Sequence, residues 1–132
     1  MNIIIIGFGA AGRFYHELLK NNKKIKKIYI YDANKKIIDR KYYLDFNEKN
    51  IRNKKIHSAI IATPSHLHYM FAKLAIKNNI NLLIEKPLVL NIGNAKKLIK
   101  LSKSYKKKCW VVFQNRYNKA INKLKKEISD QK

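Results

Sequence analysis

The sequence predicts an α/β domain built on a doubly wound parallel sheet, and three observations carry that expectation. Ile3-Ile4-Ile5-Ile6 is an unbroken apolar run, as in a strand buried on both faces. It opens directly into Gly7, Gly9 and Gly12, which fit Gly-x-Gly-x-x-Gly, and Asp32 follows 20 residues after the last glycine. Beyond them, apolar runs of strand length alternate with segments of helical periodicity, the pattern of βαβ units. A sheet of this kind with a glycine-rich first turn is of Rossmann type, and the glycine–acid spacing is that of a dinucleotide-binding unit.

Each element has its own justification. The helix after the glycines starts near Ala10 and places Ala11, Tyr15, Leu18 and Leu19 on one apolar face lasting to about Asn22. Ile28 to Tyr31 form the second strand and deliver Asp32 to its carboxyl end. Residues 33–56 are the least regular: Asn34 to Asp39 suit a short helix, and Tyr42 to Leu44 a short edge strand. Ala59 to Ala62 make a buried strand that Thr63-Pro64 stops. Ser65 is placed to cap the following helix, whose core face is Leu67, Phe71, Leu74 and Ala75. Asn81 to Ile84 form the next strand, ended by Glu85-Lys86-Pro87. Asn91 can cap a helix that turns Ile92, Ala95, Leu98 and Ile99 inward. Cys109 to Phe113 read as a last buried strand and Asn118 to Ile128 as a final helix. Right-handed crossovers put the loops after the strands along one edge of the sheet.

The glycines have local reasons. A side chain at Gly7 would obstruct the tight turn out of the strand, one at Gly9 would hold the backbone off a diphosphate, and one at Gly12 would prop the helix off the sheet. The helix opening at Ala10 and Ala11 then presents unpaired N–H groups and its positive dipole end to phosphates. Asp32 can accept hydrogen bonds from a ribose hydroxyl. Three glycines also make an ordinary turn; the order strand, glycines, helix, strand, acid is what favours nucleotide binding.

Composition sets outer bounds. At 132 residues the chain is one domain by length, spanning 1–132, and 46% hydrophobic content argues against disorder. No stretch approaches the roughly 18 apolar residues that cross a bilayer, and the run before Gly7 lacks the basic lead of a signal peptide. A cytoplasmic location without membrane attachment is therefore expected. Cys109 is the only cysteine, which excludes a disulfide within the chain and suggests a buried, inert thiol. Net charge is +22, from 30 basic and 8 acidic residues. Lysines are scattered in small clusters along the whole chain, and arginine is limited to Arg13, Arg40, Arg52 and Arg116. Together with abundant Asn and Ile this fits a protein encoded by AT-rich DNA better than a nucleic-acid-binding surface, where bidentate arginine would be favoured. No metal site is expected, since His66 and His68 point to different sides of a helix and no Cys or carboxylate pair completes a set. His16 and His57 read as surface and strand-edge residues, and Ser65 lacks the context of a nucleophile elbow.

Taken together, the loops resemble the glucose–fructose oxidoreductase and inositol dehydrogenase (Gfo/Idh/MocA) family. The residues that carry the resemblance are Gly7 to Gly12, Ala62-Thr63-Pro64-Ser65-His66-Leu67-His68, Ile84-Glu85-Lys86-Pro87-Leu88 and Phe113-Gln114-Asn115-Arg116-Tyr117, in that order. The resemblance covers essentially the whole chain. It implies an N-terminal NAD(P)-binding domain, with Gly7, Phe8, Gly9, Ala10, Ala11 and Gly12 at the pyrophosphate and Asp32 at the adenosine ribose. It places Thr63, Pro64 and Ser65 beside the nicotinamide, with His68 near that loop, and Glu85 and Lys86 at the nicotinamide ribose and substrate. Gln114 and Arg116 join the cofactor set, and Lys86 takes the catalytic role, as an ammonium that holds a substrate hydroxyl and steadies negative charge as an alcohol becomes a carbonyl. Asp32 favours NAD by repelling a 2′-phosphate, while Lys35 and Lys36 keep NADP open.

Family members resemble two-domain enzymes whose second half supplies substrate contacts, and this sequence ends at Lys132 after the final helix. The expectation is thus an isolated or truncated cofactor domain of an oxidoreductase acting on a sugar, nucleotide sugar or polyol, with a separate chain as one alternative source of the missing half. The rival readings are a non-catalytic nucleotide-binding module or truncated remnant and, with less in its favour, a basic nucleic-acid-binding protein.

Overall fold

The computed structural model describes residues 1–113, 116 and 118–130. Five strands, β1 (Asn2–Ile6), β2 (Lys27–Tyr31), β3 (Ile56–Ile61), β4 (Asn81–Ile84) and β5 (Cys109–Val111), form one parallel sheet in the order β2-β1-β3-β4-β5. Five helices join or follow them: α1 (Ala10–Leu19), α2 (Glu48–Asn53), α3 (His68–Lys77), α4 (Ile92–Ser104) and α5 (Lys119–Ser129). This is the Rossmann arrangement expected from the alternation of apolar runs. Outside β2, Tyr43 makes a single parallel bridge with Ile30; the N–H of Ile30 donates to Tyr42 O at 2.8 Å and that of Leu44 to Ile30 O at 2.9 Å. The expected edge strand at Tyr42 to Leu44 is thus reduced to one pairing. Counting it as a strand restores the usual six-strand order of a dinucleotide-binding sheet, 3-2-1-4-5-6.

The run Ile3 to Ile6 explains the two layers, because successive strand residues point to opposite faces. Ile4 and Ile6 enter a core with Ile51 of α2, Phe71, Ala72, Ala75 and Ile76 of α3, and Leu98 of α4. Ile3 and Ile5 enter a second core with Tyr15 of α1, Ile28, Ile30, Ile38 and Ile60. Three helices thus cover the first face, whereas a single helix with a buried residue covers the second.

That asymmetry accounts for the exposure of Leu18 on α1 and of Trp110 on the last strand; the other departures from expectation have local reasons. On α1, which ends at Leu19 rather than near Asn22, Gly12 and Tyr15 are buried but Leu18 is 64% exposed. On α4 only Leu98 is buried; Ile92 and Ile99, expected inward, lie exposed because the helix touches its neighbours along one narrow line. The last strand is shorter than Cys109 to Phe113 and is not buried. As an edge strand under the sparsely covered face it leaves Trp110 53% exposed and Phe113 exposed. The Cys109 thiol is partly covered, and burial raises its pKa. Ser65 does not cap α3. It opens a 3₁₀ turn, Ser65–Leu67, with no side-chain cap, and α3 starts at His68. Asn91 does cap α4, accepting the N–H of Asn94 at 3.2 Å. Helix α2 was not expected at all. Asn47 caps it by accepting the N–H of Asn50 at 2.9 Å, and six residues are too few to show a period. His16 is no surface residue: its ring packs edge-on to Phe8 and Tyr42. His57 is exposed at the strand edge and accepts the N–H of Asn2. Asn118 caps α5, all of whose residues are exposed. No helix among the described residues is long and apolar enough to cross a membrane.

Candidate functional site

Parallel strands bring all five carboxyl ends to one edge, and the crevice opens where the chain leaves β1 in one direction and β3 in the other. Backbone hydrogen bonds pin the three central loops there. The N–H of Gly7 donates to Tyr31 O at 2.8 Å, that of Ala62 to Ile6 O at 2.8 Å, and that of Glu85 to Ile61 O at 2.9 Å.

The three glycines do different things. Gly7 has φ +93°, and a Cβ there would lie 2.6 Å from Ala62 O, against the neighbouring loop. Gly7 is therefore fixed both by its left-handed conformation and by the approach of the β3 loop. A Cβ on Gly12 would lie 2.0 Å from Gly7 O, so α1 can seat against the turn only without a side chain at that point. At Gly9 nothing among the described residues stands within 4 Å of where a Cβ would be. No fold contact requires a glycine at that position, which is instead open space beside the N-terminus of α1. No side chain caps this helix, so its first N–H groups, from Ala10 and Ala11 onward, face outward for an anion.

Asp32 closes the other side. Its Oδ2 accepts the N–H of Phe8 at 2.7 Å and its Oδ1 the N–H of Asn34 at 2.9 Å, so the carboxylate belongs to the glycine loop. Two bonds leave a carboxylate with spare acceptor capacity. A cleft of about 720 Å³ runs from Gly7, Gly9, Tyr31, Asp32 and Ala33 to Ala62, Thr63, Pro64, Leu67, Met70 and Phe71. Polar backbone and a carboxylate line one end, and apolar side chains of α3 the other. The Thr63 hydroxyl is buried with no hydrogen-bond partner among the described residues. A bare loop, an uncapped helix end, a placed carboxylate and an orphaned hydroxyl around one cleft fit a dinucleotide.

The remaining predicted residues divide between this cleft and the β4 side. Ser65 is half-buried at the start of the 3₁₀ turn. His68 is 1% exposed and turned away from solvent. Its Nδ1 lies 2.9 Å from Pro87 O and its Nε2 2.9 Å from Thr63 O, so the ring braces the β3 loop against the β4 loop. Both partners are acceptors, so a ring protonated on both nitrogens satisfies both and a neutral ring only one. Glu85 accepts a hydrogen bond from the Tyr15 hydroxyl on Oε1 and the N–H of Lys86 on Oε2 at 3.2 Å. Lys86 is exposed and precedes Pro87 through a cis peptide bond. Arg116 is also exposed, its guanidinium 5.6 Å from the Phe113 ring centre, and it lines a separate cleft of about 420 Å³ with Tyr15, Leu83 and Trp110. Gln114 lies outside the described residues. Burial, followed by the hydrogen bond and the charge of Glu85, pushes the Tyr15 phenol above its ordinary value.

Sequence reasoning missed Tyr15 as a site residue and took Leu67 and Phe71 for core alone. Nothing local could have paired Tyr15 with a carboxylate 70 residues away. The cleft-lining role of Phe71 was hidden because burial on α3 and exposure to the crevice give the same apolar pattern.

Comparison with known proteins agrees with this geometry. The sequence profile of a family described as the oxidoreductase family with an NAD-binding Rossmann fold (Gfo/Idh/MocA) matches residues 1–113. Among curated proteins none matches the chain. Among solved structures, an NAD-binding protein from Listeria innocua superimposes with a TM-score of 0.81 at 17% identity, over 98% of this chain and 40% of its own. A myo-inositol 2-dehydrogenase from Lactobacillus plantarum gives 0.80 at 22% identity, over 98% of this chain and 41% of its own. A UDP-N-acetylglucosamine 3-dehydrogenase from Acidithiobacillus ferrooxidans gives 0.78 at 21%, over 96% and 43%. At such identities the likeness is one of fold, and the chain spans less than half the length of each of these structures.

Proposed function

The chain belongs to the Gfo/Idh/MocA family of NAD-binding oxidoreductases, and from that premise we propose that it holds NAD for hydride exchange with a sugar, nucleotide sugar or polyol. The observation that carries the reading is the bare backbone at Gly9, set between the uncapped start of α1 and the anchored carboxylate of Asp32. Gly7 to Gly12, with Phe8, Ala10 and Ala11, would hold the diphosphate through main-chain N–H groups, and Asp32 would accept from the adenosine ribose. Thr63, Pro64 and Ser65 would flank the nicotinamide, positioned through His68, while Glu85 would take the second ribose and Arg116 would stand at the outer rim. When bound, NAD supplies the hydride acceptor that no side chain can provide.

Lys86 is assigned the catalytic role. Its exposed ammonium, next to Glu85, would hold the substrate hydroxyl and stabilise negative charge developing on that oxygen. NAD is favoured over NADP because a 2′-phosphate would meet the Asp32 carboxylate. Of the two nearby lysines, Lys35 is engaged elsewhere, 3.5 Å from Asp45 and over the Tyr43 ring. The solved neighbours named for myo-inositol and for a UDP-sugar support a polyol or sugar as substrate. The substrate-binding half would come from protein outside these 132 residues, and the setting would be cytoplasmic.

Calorimetry with NAD, NADH and NADP tests the core of this reading: NAD(H) should bind, and more tightly than NADP. Silence at millimolar ligand would remove it. A second reading, nucleotide binding without turnover by this chain alone, is favoured by its spanning only about 40% of the solved neighbours. Turnover of any member of a polyol and sugar panel by the 132-residue chain would exclude that alternative.

A further inference from the structure

Helix α1 reaches both halves of the candidate site. Its first turn borders the open space at Gly9, and one turn after Gly12 it buries Tyr15, 7% exposed, in the second core. Packing alone would be met by phenylalanine. The hydroxyl instead donates to Oε1 of Glu85, 70 residues away at the end of β4, and the N–H of Lys86 reaches Oε2 of the same carboxylate. Two protein donors, one on each oxygen, fix the plane of a carboxylate and still leave lone pairs on both for a ligand. A hydrogen bond to an ionised acceptor is the stronger, charge-assisted kind. The phenol, pushed upward by burial and then by Glu85, stays protonated and so stays a donor through the neutral range.

We propose that Tyr15 is a positioning residue, whose hydroxyl sets the Glu85 carboxylate to receive the second ribose of a bound dinucleotide and so ties that half of the site to the diphosphate-binding helix. This rests on the NAD reading given under Proposed function. It differs from a packing role in what it predicts, since the contact touches only one end of the ligand.

The test is calorimetry on the full chain with NAD and with ADP, which lacks the nicotinamide half. Tyr15→Phe should weaken NAD by about tenfold, the order expected for one hydrogen bond to a charged group, and leave ADP within about twofold. Glu85→Gln should weaken NAD selectively as well, and adding Tyr15→Phe to it should cost nothing further. Equal loss of NAD and ADP, an unchanged NAD affinity in Tyr15→Phe, or a full further loss in the double variant would each overturn the proposal while leaving cofactor binding intact. If wild type binds neither ligand, the dinucleotide reading itself has failed and this inference goes with it. Should Tyr15→Phe not fold, Tyr15→Leu carries the same NAD-against-ADP contrast without the hydroxyl, and equal loss of both ligands there would overturn the proposal.

Discussion

The two faces of the sheet are built from the same kinds of residue and end in different conditions. On the face under α2, α3 and α4, Ile4, Ile6, Ile61, Ile76, Ile80 and Ile84 are fully buried. On the face under α1, burial is complete near β1 and β2 but thins toward β5, where Leu83 and Val112 are half-buried and Trp110 stands mostly in solvent. The candidate site follows the same gradient. The 720 Å³ cleft rises from the well-covered side, between loops pinned by short backbone hydrogen bonds, whereas Arg116 and Phe113 sit at the loosely held edge. The contrast teaches that an apolar residue's contribution depends on what lies over it, and that a site needing fixed loops forms where the layers are complete.

The comparison can be broken or sharpened by substitution. The largest effect is expected for Phe71→Ala, which empties the space between the Tyr31 and Phe46 rings and should cost about 3–5 kcal/mol in urea unfolding. Gly12→Ala should follow at about 3 kcal/mol, because its methyl would meet Gly7 O and α1 would have to lift. Gly9→Ala is the sharpest control. Its φ of −72° suits alanine and nothing occupies the space, so stability should move by less than about 1 kcal/mol. NAD affinity should nonetheless drop by about tenfold or more; an unaffected affinity would separate the glycine loop from the ligand.

Alkaline titration probes the α1 side. The folded state raises the Tyr15 phenol above its usual value of about 10. A raised folded value means the contribution is complete below pH 10 and is lost as pH climbs beyond it. Wild type should therefore lose more stability than Tyr15→Phe between pH 9 and about 11, as read from paired denaturation curves; parallel loss would show that the phenol is not the group concerned. Among the large apolar residues the open edge should respond least: Trp110→Ser should shift unfolding by about 1–2 kcal/mol, because about half of the side chain is already in solvent. A loss of about 4 kcal/mol or more would mean that this face is covered in solution.

Legibility in the sequence tracked the range of the interactions. Strands β1 to β4 were readable because burial on both faces writes continuous apolar runs such as Ile3 to Ile6 and Ala59 to Ile61. The glycine loop and Asp32 were readable because their spacing along one βαβ unit fixes their distance in space. Leu18, Ile92 and Ile99 were misjudged because a helical stripe says which side is apolar but not how wide a neighbour covers it. Ser65 looked like a cap because the residue type suits one, yet the chain spends Ser65–Leu67 in a 3₁₀ turn first. Helix α2 was too short to carry any period, whereas the edge strand read at Tyr42 to Leu44 is reduced to the single bridge at Tyr43.

By itself the sequence determined the alternation of elements, the bare turn and the acid that faces it, because each depends on residues near one another along the chain and on the steric and hydrogen-bonding properties of their own backbone. The tertiary structure alone decided that Tyr15 meets Glu85, that His68 braces Thr63 against Pro87, and that one sheet face is closed while the other thins toward Trp110. Those contacts join residues brought together only by the order of the strands, and no local pattern records which distant loop will arrive opposite a given side chain.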